Sequence, residues 1–553
     1  MRARWAGVLV VALALAGCGG LPSSGPVEPG SIIDEATLDD IAYDPPGPQD
    51  GATPTEILEG FINAATNPQN DYAVAKSYLA EAFREEWDPD VITQIRSGIG
   101  IVRPESDTSA SYSLTSASHV NELGQYIEDS AATLVLDFAF VQDADDQWRI
   151  ADAPNGIVLS RESFNAIFEA HPLYFFDATN TYLVPDLRWF PKTTRLATRV
   201  VRELITGQSA WLQGGVTNTY FPEGTKLDSS VSIDAGVATV ALSEEVLDAS
   251  PEQLELMRQQ LIASIGNVSS VVIPVTLGEQ GGAPAPAPAT SDLTVEDQLL
   301  ARQDDTFGFL RANGTVGALA GFSAEIVDLE ATDVTLNRAG TAAAALTPSG
   351  VWLVFAGSAR AVQIDTRAGL VAPAVDNSGF VWTVPASDAS AIVAYDEAGA
   401  PYAVNAPQFA DMQAVSFSIS RDGSRVLMLS STTLGPRLSV AGVIRTDGVP
   451  TSLGAPISLP IDRASTALDA TWVGDNTIAT LTLPSSDEQS AVTVYQLGGP
   501  SQSFGRVASG ATLTGGNGTD GLRVVTTEGR VFIRRGNGWA DTGDSVTFAA
   551  TQQ

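Results

Sequence analysis

The chain has 553 residues, too many for one hydrophobic core, and at about 150 residues per domain it should hold three or four units, three if one is large. Its 44% hydrophobic and 17% charged residues are those of folded rather than disordered sequence. A formal charge of −35, from 65 acidic and 30 basic side chains scattered along the chain, repels phosphate backbones and anionic headgroups and sets nucleic acid aside as a partner.

Cys18 is the one cysteine, so no internal disulfide and no paired-thiolate metal site can form. The histidines are His119 and His171, which leaves little material for a Ser/His or Cys/His catalytic pair. No metal and no cofactor is expected.

Arg2 and Arg4 make a positive start, and Trp5 to Ala16 is an apolar run of signal length rather than membrane-spanning length. The run ends in Leu15, Ala16, Gly17, Cys18, where small residues suit a peptidase cleft and the thiol that follows can take a diacylglycerol. This resembles the bacterial lipobox and makes Cys18 the lipid-attachment residue, with residues 1–17 a signal peptide. An ordinary signal peptide that precedes a cysteine, or a short uncleaved anchor, is the alternative. No later segment has about 18 consecutive apolar residues, so any membrane contact comes from the anchor.

Residues 18–52 read as a lipidated tether, rich in proline and glycine. A first α+β domain is expected over residues 53–175. Thr53, Pro54 and Glu56 form a capping box, and Ile57, Leu58, Phe61, Ile62 and Ala65 share one helical face. A second amphipathic helix is expected from Val74 to Trp87. Thr133 to Val141 reads as a strand that returns at Trp148 to Ile150 after a turn. Helices leading into a curved hairpin faintly resemble the cone-shaped folds of nuclear transport factor type.

A second α+β domain is expected over residues 176–278. Leu196, Val200 and Leu204 make a helical stripe closed by Gly207, and Pro222 to Thr225 make a turn. Val231 and Ile233 lead to a tight turn at Asp234, Ala235 and Gly236, and Val237 to Leu242 returns. Ser250, Pro251 and Gln253 cap a further helix, and Val271 to Val275 reads as a final strand. Phe221 to Leu227 and Asp234 to Ser243 resemble a GerMN domain, the module named for sporulation and spore germination proteins.

Residues 279–292 form a linker in which proline alternates with alanine. Over residues 293–553 one phrase repeats: polar turn, apolar strand, apolar strand, turn. It starts at Pro348–Gly350, Asn377–Gly379, Arg421–Gly423, Asp475–Asn476 and Asp520–Gly521, and Asn313–Gly314 is the candidate for a sixth copy. Spacings near those of four-stranded blades predict an all-β propeller of about five to seven blades; a β-sandwich of hairpins is the alternative. Apart from a short helix near Val295 to Arg302, no helix is expected in this half.

Gly516, Gly518 and Gly521 fit the dinucleotide-binding glycine spacing, but a strand, Leu522 to Thr526, follows where a helix N-terminus is needed, so a blade turn is expected. Acidic pairs such as Asp143 with Asp145, or Glu244 with Glu245, arise by chance among 65 acids and read as solvated surface. His119 and His171 are expected in loops. Tyr174, Phe175, Phe176, Tyr182, Trp189 and Phe190 read as core or as the interface between the first two domains, with a ligand platform as the alternative. No catalytic residue is nominated, and the chain is read as a binding protein rather than an enzyme.

The order of lipobox, small α+β domain, GerMN-like domain and C-terminal propeller resembles the actinobacterial lipoprotein family LpqB. Local support comes from Leu15 to Cys18 followed by Leu21 to Pro26, and from Asp376 to Val384 with its Gly379, Phe380, Val381, Trp382 run. The resemblance implies a protein lipid-anchored on the extracytoplasmic face of the cell membrane, serving as an accessory to a two-component system. It would touch the extracytoplasmic part of the sensor kinase MtrB, tune the regulator MtrA, and so act on envelope homeostasis and division. The alternative is a cell-wall polymer binder or hydrolase that uses the propeller mouth, which would need acids or aromatics clustered at one end of the ring.

Overall fold

The computed structural model describes residues 45–129, 131–274, 286–291, 293–357 and 361–553. The signal segment, Cys18, the tether to residue 44, and residues 279–285 and 292 of the linker lie outside the described residues.

The first domain begins where the capping box predicts. Thr53 Oγ1 accepts from Glu56 N–H and the Glu56 carboxylate accepts from Thr53 N–H at 2.8 Å, which starts helix α1, Pro54–Ala64. Ile57, Leu58, Phe61 and Ala64 bury one face of α1 against a curved sheet of β1 (Ile92–Ser106), β2 (Ser109–Asn121), β3 (Tyr126–Glu128), β4 (Thr133–Gln142), β5 (Trp148–Asp152) and β6 (Ile157–Ser160). The order is β5-β4-β2-β1-β6, with β3 beside β2 and β6 parallel to β1. The end of the proline-rich stretch packs on this domain: Pro45 is buried and Tyr78 Oη donates to Pro46 O at 2.9 Å.

The expected long helix from Val74 to Trp87 is corrected to one short helix, α2, Ala73–Ser77, followed by turns. The cause is an edge strand: Ile150 N–H donates to Tyr78 O at 2.9 Å and Ala80 N–H to Ile150 O at 2.8 Å, so the sheet claims the carbonyls and amides that another helical turn would need. Tyr78, Leu79 and Trp87 are buried all the same. His119 is a strand residue of β2, not a loop residue, because the serine-rich stretch alternates with buried Ala110, Tyr112, Leu114 and Val120.

The first domain ends in helix α3, Arg161–Ile167, which runs straight into β7, Phe168–Asp177. β7 hairpins with β8, Leu183–Pro191, and pairs β9, Thr217–Asn218. This places His171 on a strand too, correcting the second loop expectation. Helices α4, Leu196–Thr206, and α5, Pro251–Ile265, pack over that sheet, and Ser250 with Gln253 closes a second capping box. A small sheet carries β10 (Ser232–Asp234), β11 (Val237–Thr239) and β12 (Ser270–Val272). Ala235 at φ 48° and Gly236 at φ 78° turn the hairpin as expected. The strand at Val271 is shorter than expected, and residue 275 is outside the described residues.

Among the described residues the C-terminal half forms six sheets of at least four strands, the blades of a propeller. Blades 2 to 6 cover residues 333–365, 374–403, 413–459, 466–508 and 510–545. In each, the first strand is innermost. Blade 1 is assembled from both ends: Leu300–Gln303, Thr306–Leu310 and Val316–Ala318 are joined by Phe548–Ala549, with Ala301 opposite Ala549. Thr551–Gln552 then continues beside the innermost strand of blade 2. Such closure removes the exposed edges that an open array would keep.

The short sequence spacing before Gly379 now has a cause. Four of the five recurrent turns join the first and second strands of a blade, but Pro348–Gly350 joins the second and third. The equivalent turn in blade 2 ends at Gly340, where Gly340 N–H donates to Asn337 O at 3.0 Å. The helix expected near Val295 to Arg302 is corrected to an extended segment leading into the strand Leu300–Gln303. A short helix, α6, Ser323–Asp328, lies between blades 1 and 2 and was not expected.

Candidate functional site

The middle domain sits between its neighbours and is fastened to both. Arg188, fully buried on β8, donates to Leu123 O of the first domain at 2.7 Å and to Asp186 at 2.7 Å, while Asp186 accepts from Ser209 N–H and Oγ at 2.7 Å each. Trp189 packs 5.0 Å from Phe164 and 5.9 Å from Tyr126, and its Nε1–H donates to Gly498 O in blade 5 at 2.8 Å. Glu128 of the first domain accepts from Ser501 N–H at 3.0 Å. The Val216 methyls press on Gly442 of blade 4, where a Cβ would come within 2.4 Å of them. Phe175, Phe176 and Phe190 are core, and Trp189 is interface, so the aromatic cluster is structural.

On the propeller face that carries the first-to-second strand turns, residues 293–298 run as a strap that is neither helix nor strand and bends at Asp297 and Gln298. Leu293 is buried, and its carbonyl accepts from Arg421 Nη1 at 3.0 Å. Asn517 grips Val295 on both sides, accepting from its N–H at 2.9 Å and donating to its carbonyl at 2.7 Å. Asn517 Nδ2 also donates to Asp297 Oδ1 at 2.7 Å, and Glu296 N–H donates to Gln552 Oε1 at 3.0 Å. Beside the strap is a cavity of about 370 Å³ lined in part by Glu296, Asp297, Arg338 and Gln552. The glycines once compared with a nucleotide loop shape this site: Gly516 O accepts from Arg421 Nη2 at 2.8 Å, and a strand, Arg523–Thr526, follows the turn.

Buried ion pairs stiffen the turns around the mouth. Asp376 accepts from the N–H groups of Ser378 and Phe380 at 2.9 Å each, from Trp382 Nε1 at 2.9 Å and from Arg445 at 2.6 Å. Asp422 pairs with Arg425, which also donates to Asp475 O at 2.7 Å. Deeper in the ring, Asp333 and Asp469 lie on the innermost strands of opposite blades, 2 and 5. Loss of hydration and the facing Asp469 charge push Asp333 up to about 8. Loss of hydration outweighs the Leu513 and Ala470 N–H bonds at Asp469 and pushes it up to about 6.

Of the acidic pairs singled out in the sequence, Asp145 and Glu244 are exposed, as expected, while Asp143 and Glu245 hold local turns. Asp143 caps its hairpin turn, and the N–H of Gln147 holds its carboxyl below the usual range. Glu245 is lowered by the Ser243 hydroxyl. His119 Nδ1 lies 3.0 Å from Asp129, and His171 Nε2 meets Ser264 O. Among the described residues no group of three or more His, Cys, Asp or Glu side chains is placed to hold a metal ion, and no helix is long and apolar enough to cross a membrane.

One surface stands out for what it leaves uncovered. On the outer face of the first domain's sheet, Ile101, Ser113 and Val135 lie in one cross-strand row, and Ile127, opposite His119, and Val141, opposite Arg149, share that face six residues away along the strands in either direction. All four apolar side chains are exposed, and neighbouring Ile99 is 87% exposed. The sequence reading missed this face because β1 and most of β2 were not recognised as strands.

Three family models match the chain in order. Residues 47–165 match the N-terminal domain of lipoprotein LpqB, residues 172–280 a sporulation and spore germination domain, and residues 310–548 the LpqB β-propeller domain. The chain belongs to the LpqB lipoprotein family. Among named relatives, the LpqB lipoprotein of Mycolicibacterium paratuberculosis is 24% identical, with 86% of each chain covered. That of Cutibacterium acnes is 29% identical over 47% of this chain and 44% of its own, so the match spans less than half of that relative. Among solved structures, TolB from Acinetobacter baumannii aligns with a TM-score of 0.28 at 13% identity, covering 36% of this chain and 50% of TolB. LpqB membership makes the chain one of a family of lipoproteins, which implies membrane association through a lipid.

Proposed function

We propose that the chain is anchored through a lipid on Cys18, of the palmitate-bearing kind, to the extracytoplasmic face of the cell membrane after removal of residues 1–17. There it acts without catalysis as an accessory that binds the sensor domain of an MtrB-type histidine kinase. By favouring one kinase state it tunes an MtrA-type regulator, and with it envelope homeostasis and division. Family resemblance supplies the partner. The observation that carries the binding role is the set of exposed apolar side chains on the outer sheet face of the first domain, with Ile101 and Val135 flanking Ser113 at its centre and Ile127 and Val141 farther out, on the domain that follows the anchor. Confinement of both proteins to one membrane raises their effective concentration, so a modest interface suffices.

The test is capture of the purified kinase ectodomain by the mature protein and by an Ile101→Glu, Val135→Glu variant. The mature protein retains the ectodomain and the variant loses it; equal capture by both removes this face from the interface, and capture by neither removes the kinase. A second reading, a cell-wall polymer binder or hydrolase working through the ring, draws on the facing carboxylates Asp333 and Asp469. Turnover of muropeptides that is lost in Asp333→Asn would favour it.

A further inference from the structure

The propeller holds residues 293–297 in the manner in which domains hold an extended peptide. The chain here makes no strand of its own, yet its main chain is read at three residues: the Leu293 carbonyl by Arg421, both sides of Val295 by Asn517, and the Glu296 N–H by Gln552. A side-chain amide that pairs with both the N–H and the C=O of one residue imitates a neighbouring β-strand. Leu293 is buried at one end, and Asp297 meets Asn517 at the other. The readers come from blades 4 and 6 and from the closing strand Thr551–Gln552. They converge only because the ring is shut.

The electrostatics of the mouth run against those of the molecule. Arg338, Arg421 and Arg523 gather here in a chain of net charge −35, and the strap presents Glu296 and Asp297 to them. Burial lowers the pKa of Arg421, which also feels the opposing charge of Asp475 and, more weakly, the like charge of Arg338, and burial lowers that of Arg523, which feels the charge of Asp297. Arg338 Nε is buried without a hydrogen-bond partner beside the cavity of about 370 Å³. An unmet guanidinium N–H next to open volume is what a site leaves when its occupant covers only part of it.

We propose that this mouth is a binding site for an extended acidic peptide with an apolar residue at its start, and that the strap 293–298 occupies it in cis as a competitor. The tethered strap has a high effective concentration, so a peptide supplied from outside must displace it and binds weakly while it is seated. The site is distinct from the apolar sheet face and does not depend on the kinase reading.

The probe is a fluorescein-labelled synthetic peptide with the sequence of residues 291–298, titrated into the full mature chain. A Leu293→Ser, Val295→Pro variant removes the apolar anchor and the N–H that Asn517 accepts. It should bind the probe about tenfold or more tightly than the unaltered chain. Adding Asn517→Ala to that variant should abolish the gain, and a probe with lysine at the positions of Glu296 and Asp297 should bind neither form. Equal binding by variant and unaltered chain, no effect of Asn517→Ala, or equal binding of the lysine probe would overturn the proposal. Should the variant fail to fold, hydrogen exchange on the unaltered chain decides: excess unlabelled peptide should speed exchange of the Val295 and Glu296 amides, and unchanged exchange would refute displacement.

Discussion

Asp376 shows how much one carboxylate can hold in this ring. It accepts from two turn N–H groups, the Trp382 indole and Arg445, and its side chain is fully buried. Asp376→Ala leaves Arg445 buried without its partner and should cost about 3–5 kcal/mol, read as a fall in denaturation midpoint. A loss below about 1 kcal/mol would mean that water reaches the pair. Asp333 makes the opposite prediction. Its folded pKa of about 8 lies above that of an unfolded aspartate, so between those values the folded state binds more protons and stability falls as pH rises. The stabilising protonated form is fully present below the unfolded pKa and is lost through about pH 8. Asp333→Asn should therefore melt higher than the unaltered chain at pH 8.5, by roughly 2–4 °C per kcal/mol regained, and the gap should narrow steadily as pH falls and close only near the pKa of an unfolded aspartate. A gap that widens on acidification would reverse the assignment.

At the scale of elements, contact between domains rests on small residues meeting large ones. Gly442→Ala would drive a Cβ to within 2.4 Å of a Val216 methyl and should destabilise the full chain by about 1–3 kcal/mol. Val216→Ala in the same chain should recover part of that loss, and additive effects in the double variant would show that the two do not touch. Trp189→Phe keeps the ring in the first-domain aromatic cluster but strips Gly498 O of its donor, at roughly 1 kcal/mol. The elements that sequence revealed are those with local signals: the capping boxes at Thr53 and Ser250, the Asp234–Gly236 turn, and the strand-turn-strand phrase of the blades. The ones it hid have long-range causes. Residues 74–87 carry helical spacing, but the edge of β5 takes their backbone, and β2 alternates serine with core residues, which reads as polar loop without its partners β1 and β4. Blade 1 showed only its Asn313–Gly314 turn in the sequence, because one of its strands arrives from residues 548–549.

At the scale of the whole molecule, the three domains form one packed body. Arg188 ties the first domain to the second, Trp189 and Val216 tie the second to the propeller, and the strap crosses the mouth. The candidate sites were only partly legible in the sequence. Cys18 is a local motif, whereas the apolar sheet face and the strap site are made by residues more than 20 and more than 200 positions apart. Cys18→Ala should leave the body folded and release it from the membrane fraction; a variant that stays bound would refute anchoring through this residue.

The central claim is that an anchored body offers the outer face of its first domain to a sensor kinase. A photo-crosslinking amino acid placed at Ile101 in intact cells tests it most directly, with the same group at Leu434, 74% exposed on the propeller, as the control. The account predicts that the kinase is captured from position 101 and not from 434. Kinase absent from the 101 adduct, or captured equally from both positions, would contradict it.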